Sequence, residues 1–162
     1  MRFDILEPSS LFTEAVEEDE HEPDITTSPP STVGRMRMSA FTERELEYLH
    51  GDRRLGRLAT VGTDGTPHVV PVGWTHNTER GTIDVGGRDF AETKKFRDVA
   101  HSGRAAIVID DLASTNPWRP RGIEVRGRAE AISEPTALIR IHPERIVSWG
   151  LEPQRLARTV GS

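Results

Sequence analysis

The chain has no cysteine, two lysines and one tyrosine in 162 residues. Without cysteine there are no disulfides, no thiolate metal sites and no thiol nucleophile, which fits a reducing compartment. No apolar run approaches the roughly 18–20 residues needed to cross a bilayer. The N-terminus also lacks the basic segment and apolar core of a secretory signal. The expectation is a soluble, cytoplasmic protein without membrane association. Hydrolytic signatures are missing as well: there is no G-x-S-x-G, no H-E-x-x-H, and no grouping of histidines with acids at metal-ligand spacing. Of the six histidines, only His68 falls in a confident strand pattern, where a histidine reads first as structural and second as catalytic.

What charge there is lies unevenly. Residues 1–24 carry nine acidic side chains against Arg2 alone, whereas the rest of the chain carries 20 basic and 17 acidic ones. The acidic balance therefore belongs to the N-terminal stretch, and the remainder of the chain is mildly basic. Residues 1–34 end in a Thr-, Ser- and Pro-rich run, TTSPPSTVG, and residues 1–38 read as a disordered acidic extension. A basic excess this small is a thin footprint for nucleic acid, which is not expected as a partner.

A domain is expected over residues 39–152, with 153–162 as a C-terminal tail. Thr42 and Glu45 form a capping box with Phe41 and Leu46 as its staple, so a helix runs to His50-Gly51, where glycine can turn left-handed. Residues 55–61 and 66–74 read as strands around a Thr63-Asp64-Gly65 turn. Pro67 and Pro71 push the second of these strands toward an edge or a ligand. Residues 82–86 form the next strand. Asp89 and Glu92 then suggest a cap for a helix whose buried face is Phe90, Phe96 and Val99. Residues 104–110 are a short apolar strand and 111–122 a proline- and arginine-rich loop. Residues 123–132 alternate cleanly, and a last strand covers 138–141 and 145–149. Mostly hairpin-linked strands with few helices predict a mainly β, α+β domain: a six-stranded antiparallel barrel with a few short helices.

Two groups of residues could carry chemistry. Lys94 and Lys95, the only lysines among 21 basic residues, sit with Arg88 around a helix start after a Gly86-Gly87 turn. Helix N-terminal amides and mobile cations together suit an anion, although a solvated basic face has the same spacing. The second group is Trp118-Arg119-Pro120-Arg121-Gly122. Here tryptophan beside arginines can stack on a flat ring or make a dimer contact, and exposed loop arginines equally serve solubility.

Four blocks in fixed order add to this: GRLATVGTDGTPHVVPVGW from residue 56, GTIDVGGRDFAETKKFRDV from residue 81, WRPRGIEVRGRAE from residue 118 and IRIHPERIVSWGLE from residue 139. Together, over residues 41–152, they resemble the split β-barrel family of pyridoxamine 5′-phosphate oxidase, nearest the branch that uses a flavin or the deazaflavin coenzyme F420. The resemblance implies a homodimer with a cofactor site at the subunit interface. Arg88, Lys94 and Lys95, with Lys95 the best matched, would hold the cofactor phosphate. The strand around Leu58, Ala59 and Thr60 and the Pro71-Val72 turn would flank the ring, and Trp118, Arg119 and Arg121 would come from the other subunit. The activity implied is hydride transfer between F420 and a small organic substrate. The alternatives are an FMN-dependent reductase or oxidase, or a non-catalytic flavin- or tetrapyrrole-binding protein. The chain departs from many relatives in having only residues 133–137 between its last two long strands. Residues for the substrate phosphate of the oxidase itself are not matched.

Overall fold

The alternation read over residues 123–132 is part of a long central strand in the computed structural model, which describes residues 39–161. The acidic extension expected over 1–38 lies outside the described residues. Thr42 caps α1 (Glu43–His50): its Oγ1 accepts from the Glu45 amide at 3.3 Å, and Glu45 Oε2 accepts from the Thr42 amide at 2.9 Å. The helix stops at Gly51 as expected, but with φ of −73° rather than in the left-handed region. Eight strands come after it, where six were expected: β1 (Gly56–Val61), β2 (Pro67–Val72), β3 (Trp74–Asn77), β4 (Thr82–Gly86), β5 (Arg104–Thr115), β6 (Trp118–Ile132), β7 (Leu138–Trp149) and β8 (Leu156–Thr159). α2 (Lys94–Ser102) lies between β4 and β5.

The two extra strands have separate causes. The stretch read as one strand over 66–74 is broken at Gly73, after which Trp74 begins pairing with Val85 of β4 instead of with β1. Residues 153–162, expected as a tail, include β8, which pairs with β7 from Arg145↔Thr159 to Ser148↔Leu156. The loop expected over 111–122 is instead the tip of a hairpin. Asp111 pairs with Arg121 and Thr115 with Trp118, so only Asn116 and Pro117 turn the chain. The last strand is continuous. Its two expected halves join through a bulge at which a Cβ on Gly127 would lie 1.9 Å from the His142 carbonyl oxygen. That position therefore needs glycine.

All strand pairs are antiparallel, in the order β2-β1-β5-β6-β7-β4-β3, with β8 on β7. β2 and β3 end this path on opposite sides, yet Gly73 alone joins them. Two trans peptide steps span at most about 7 Å, so the sheet must curl until its two edges meet at Gly73. That curl makes a split barrel rather than a flat sheet. Inside it Leu58, Ile83, Val85, Ile107, Ile109, Ile123, Val125, Ile139, Ile141 and Ile146 are all 0% exposed. Fully burying a side chain of this size contributes about 1.5–3 kcal/mol. Phe96 and Val99 of α2 join the same core, as their spacing predicts. Among the described residues no helix is long and apolar enough to cross a membrane.

Candidate functional site

The chain leaves β4 through Gly86, Gly87 and Arg88, takes a left-handed step at Asp89 (φ 48°) and makes one 3-10 turn over Phe90–Glu92. Asp89 makes no side-chain cap; Thr93 caps α2 instead. Thr93 Oγ1 accepts from the Phe96 amide at 3.4 Å and donates to the Phe90 carbonyl at 2.7 Å. Lys94 and Lys95 are thus the first two residues of α2, where amide N–H groups have no partner within the helix.

These adjacent lysines differ in their commitments. Lys94 Nζ donates to Asp98 Oδ1 at 3.1 Å, one helical turn on. Asp98 Oδ2 accepts from Thr60 Oγ1 of β1 at 2.9 Å and from His68 Nδ1 of β2 at 3.0 Å. Burial would raise the Asp98 carboxyl, but hydrogen bonds from His68, Lys94 and Thr60 outweigh it and hold it down at about 2. Half-buried Lys95 has no carboxylate partner among the described residues. Its Nζ lies 5.0 Å from the Phe90 ring centroid. Arg88 is exposed and, among the described residues, makes no ion pair.

The remaining candidates divide between core, outer face and hairpin. Leu58 and Val72 are core side chains, and Thr60 spends its hydroxyl on Asp98. Ala59 and Pro71 lie on the outward face of β1 and β2, where Val61 and Val69 are 46% and 65% exposed. Pro67 and Pro71 have the same parity on β2, and a ladder without gaps to β1 needs their missing N–H groups on the strand's unpaired edge. Trp118 is 68% exposed beside Arg119 at the hairpin tip. Arg121 is not available: its fork holds Asp111 at 2.7 and 3.0 Å, and Arg54 Nε holds the same carboxylate at 2.7 Å. The Arg121 hydrogen bonds, with help from Arg54 and Tyr48, overcome burial and keep Asp111 at about 2.

Two clefts meet at the β2–β3 junction. One, of about 420 Å³, is lined by Gly73, Trp74, Asp84, Gly86, Gly87 and Leu138 among others. On its wall, burial of the Asp84 carboxyl is outweighed by the Arg140 fork, at 2.7 and 2.9 Å, so the carboxyl titrates below the ordinary range. The other cleft, of about 480 Å³, lies between the end of α1 and β3, where His50 Nε2 and His76 Nδ1 are 2.9 Å apart. The segment from Gly86 to Asp98 thus shares the first cleft with Gly73, just past the end of β2, and holds His68 near the start of β2 through Asp98. Among the described residues β2 pairs only with β1.

Sequence reasoning brought Arg88, Lys94 and Lys95 together and missed Asp98. The Lys94-to-Asp98 spacing of four residues on a helix was the available signal. The Asp84–Arg140 pair, 56 residues apart, left none.

The donor set fits a phosphate-bearing ring compound. Among the described residues Arg88 and Lys95 make no ion pair, and they flank the first amides of α2 in sequence, which have no partner within the helix. The open β2 edge and the Gly86-Gly87 turn leave space, since a Cβ on Gly86 meets nothing nearer than 3.7 Å.

The family described as pyridoxamine 5′-phosphate oxidase matches residues 42–159. The 5a,11a-dehydrotetracycline/5a,11a-dehydrooxytetracycline reductase of Streptomyces rimosus is 44% identical over 123 residues, 69% of this chain and 84% of that protein. Among solved structures, a conserved hypothetical protein from Mycobacterium tuberculosis has a TM-score of 0.57 at 21% identity, covering 75% of this chain and 93% of the other. A heme-binding protein from Mycobacterium smegmatis has a TM-score of 0.56 at 18% identity, over 72% of this chain. The chain spans only about half of that protein's length, 55%. At these identities the structural likenesses speak for the fold.

Proposed function

The chain belongs to the pyridoxamine 5′-phosphate oxidase family, and from that premise we propose that it is a reductase. In this reading it transfers hydride between coenzyme F420 and a small organic acceptor, with FMN as the alternative cofactor. The observation that carries the reading is that Arg88 and Lys95, without ion pairs among the described residues, flank the N-terminal turn of α2, while β2 has no strand partner on one side among those residues. The reductase relative supports the reaction class.

The cofactor, when bound, supplies the hydride chemistry; the protein binds, orients and excludes water. Arg88 and Lys95 hold the phosphate, and the α2 amides add donors aligned with the helix dipole. The free edge of β2 offers carbonyl oxygens and the Val69 amide to the polar rim of a ring. Lys94 acts one step removed, by neutralising Asp98.

A homodimer completes the site in this reading. The outward strip of Val61, Val69, Pro67 and Pro71 is the apolar surface a second copy would cover, and the Trp118-Arg119 hairpin tip then reaches the partner's cofactor.

Fluorescence titration of the purified full chain with F420 and with FMN tests the assignment. Saturable binding of F420, and oxidation of its reduced form on addition of an electron-poor enone that is reduced in turn, are the expected results. Tight binding of FMN without F420 would overturn the F420 assignment, and binding of neither would overturn the cofactor reading.

A further inference from the structure

Gly73, Trp74 and Thr75 line both clefts at the β2–β3 junction, and Trp74 is the large flat group among them. The position of its ring is fixed from two sides. Trp74 Nε1–H donates to the Arg54 carbonyl at 2.9 Å. Arg54 is held in turn by Asp111 and by the Tyr48 carbonyl, so the cluster at Asp111 also sets the indole. Toward β1, a Cβ on Gly56 would lie 3.0 Å from Trp74 Cδ1 and 2.6 Å from Ile107, so glycine lets the ring seat against that strand. The ring stays half-buried, and the space at Gly73 beside it is open, since a Cβ there meets nothing within 4 Å.

The cleft between α1 and β3 sets apolar surface beside one unspent cation. Leu55 is 61% exposed, and among the described residues it is the one large exposed apolar side chain that lines either cleft. Two residues earlier, Arg53 is exposed and makes no ion pair among the described residues. The other polar groups of this cleft are engaged. Arg54 is spent on Asp111 and lies 3.5 Å from the exposed Asp52 carboxylate, whose charge it offsets. His50 and His76 bond to each other at 2.9 Å. Burial and the neighbouring His50 hold the His76 imidazole below its ordinary range, so it is uncharged at neutral pH.

We propose that the α1–β3 cleft is the site of the organic acceptor, and that it takes a flat, conjugated multi-ring compound bearing an anionic group. The rings lie against Trp74 and Leu55, and Arg53 pairs with the anion at the rim. The inference rests on the reductase reading given above. A flat ring system takes the indole and Leu55 out of water together, and both gain from a planar apolar partner. At about 480 Å³ the cleft falls in the size range of small-molecule sites, roughly 300–1,000 Å³. Its position suits an acceptor as well. Reacting groups must come within about 3–3.5 Å of each other, and this cleft adjoins the one at the Gly86-Gly87 turn through their shared wall at Gly73.

The test is calorimetric titration of the full chain with anthraquinone-2-carboxylate and with its neutral 2-hydroxymethyl counterpart, each with and without saturating F420 or FMN. The expected result is saturable binding of both probes that neither cofactor displaces, with the carboxylate about three- to ten-fold tighter. Arg53→Ala should erase that preference while affinity for the neutral probe holds. Leu55→Gln, at an exposed position outside the core, should weaken both probes by about three-fold or more. Trp74→Leu should weaken them further. Displacement of the probes by a cofactor, or affinities unchanged in Arg53→Ala and Leu55→Gln, overturns the inference and leaves the cofactor reading standing. A native chain that binds F420 or FMN but neither probe does the same. Probe binding by a chain that binds neither cofactor overturns the reductase reading and the acceptor role together.

Discussion

Asp98 and Asp111 are each surrounded by donors, and the two clusters end in opposite states. Around Asp111 every strong donor turns inward: Arg54, with 8% of its side chain exposed, and Arg121 close on one carboxylate beneath the Tyr48 ring. Around Asp98 the donors keep an outward face. Lys94 is 55% exposed, one His68 ring nitrogen is not spent on Asp98, and Lys95 next door has no carboxylate partner among the described residues. The first cluster ties α1 to the base of the β5–β6 hairpin, whereas the second borders a helix start with unpaired amides. A count of cations therefore does not mark a binding site; what matters is which cations the fold has left unspent. By that measure Arg121 and Lys94 are spent on carboxylates, and the proposed reading leaves the phosphate to Arg88 and Lys95.

The sharpest way to break the comparison is Asp111→Ala. It strands a nearly buried Arg54 beside Arg121, and loss of one partner from such a pair costs about 2–4 kcal/mol. Chemical denaturation should show that loss, and an unchanged midpoint would mean the cluster is looser than its geometry. Next comes acid sensitivity. Asp98 has its folded pKa depressed to about 2, so its contribution is fully present above the ordinary carboxylate range near 4. It is lost as pH falls from there toward 2. Urea midpoints at pH 6 and pH 3 should therefore fall further for the native chain than for Asp98→Asn; parallel falls would contradict the shift. The smallest effect is expected from Arg53→Ala, an exposed cation in the α1–β3 cleft. It should leave cofactor affinity within about two-fold, because an exposed charge away from the phosphate is largely screened. A ten-fold loss there would move the anion site to the other cleft.

Much of the fold was legible because its signals are local. Thr42 and Glu45 specify their capping box through adjacent backbone groups, β4 comes out with its bounds intact, and residues 133–137 are the whole link between β6 and β7. Local signals failed where two of them competed. Asp89 and Thr93 are both reasonable caps, and the 3-10 turn forced by the exit from β4 hands the role to Thr93. Proline misled at the hairpin: Pro117 occupies the turn and Pro120 stands opposite Leu112 close to the register shift, so neither stops the pairing. β8 went unread because its short strand, Leu156–Thr159, gains its place from Arg158. That guanidinium reaches the 1%-exposed Glu45 at 2.8 Å across 113 residues. The site followed the same rule. Its cations were visible, but their commitments depend on partners such as Arg54–Asp111, 57 residues apart, that only the fold brings together.

The most direct test of the account is the F420 dissociation constant of Lys95→Ala beside that of Lys94→Ala, both measured by fluorescence quenching on folded protein. Losing a charge-assisted phosphate contact at a half-buried site should weaken binding by about 1.5–3 kcal/mol, at least ten-fold, in Lys95→Ala. Lys94→Ala should stay within about three-fold, because its ammonium serves Asp98. The opposite ranking, with Lys94→Ala the weaker binder, would contradict the claim that uncommitted cations make this site.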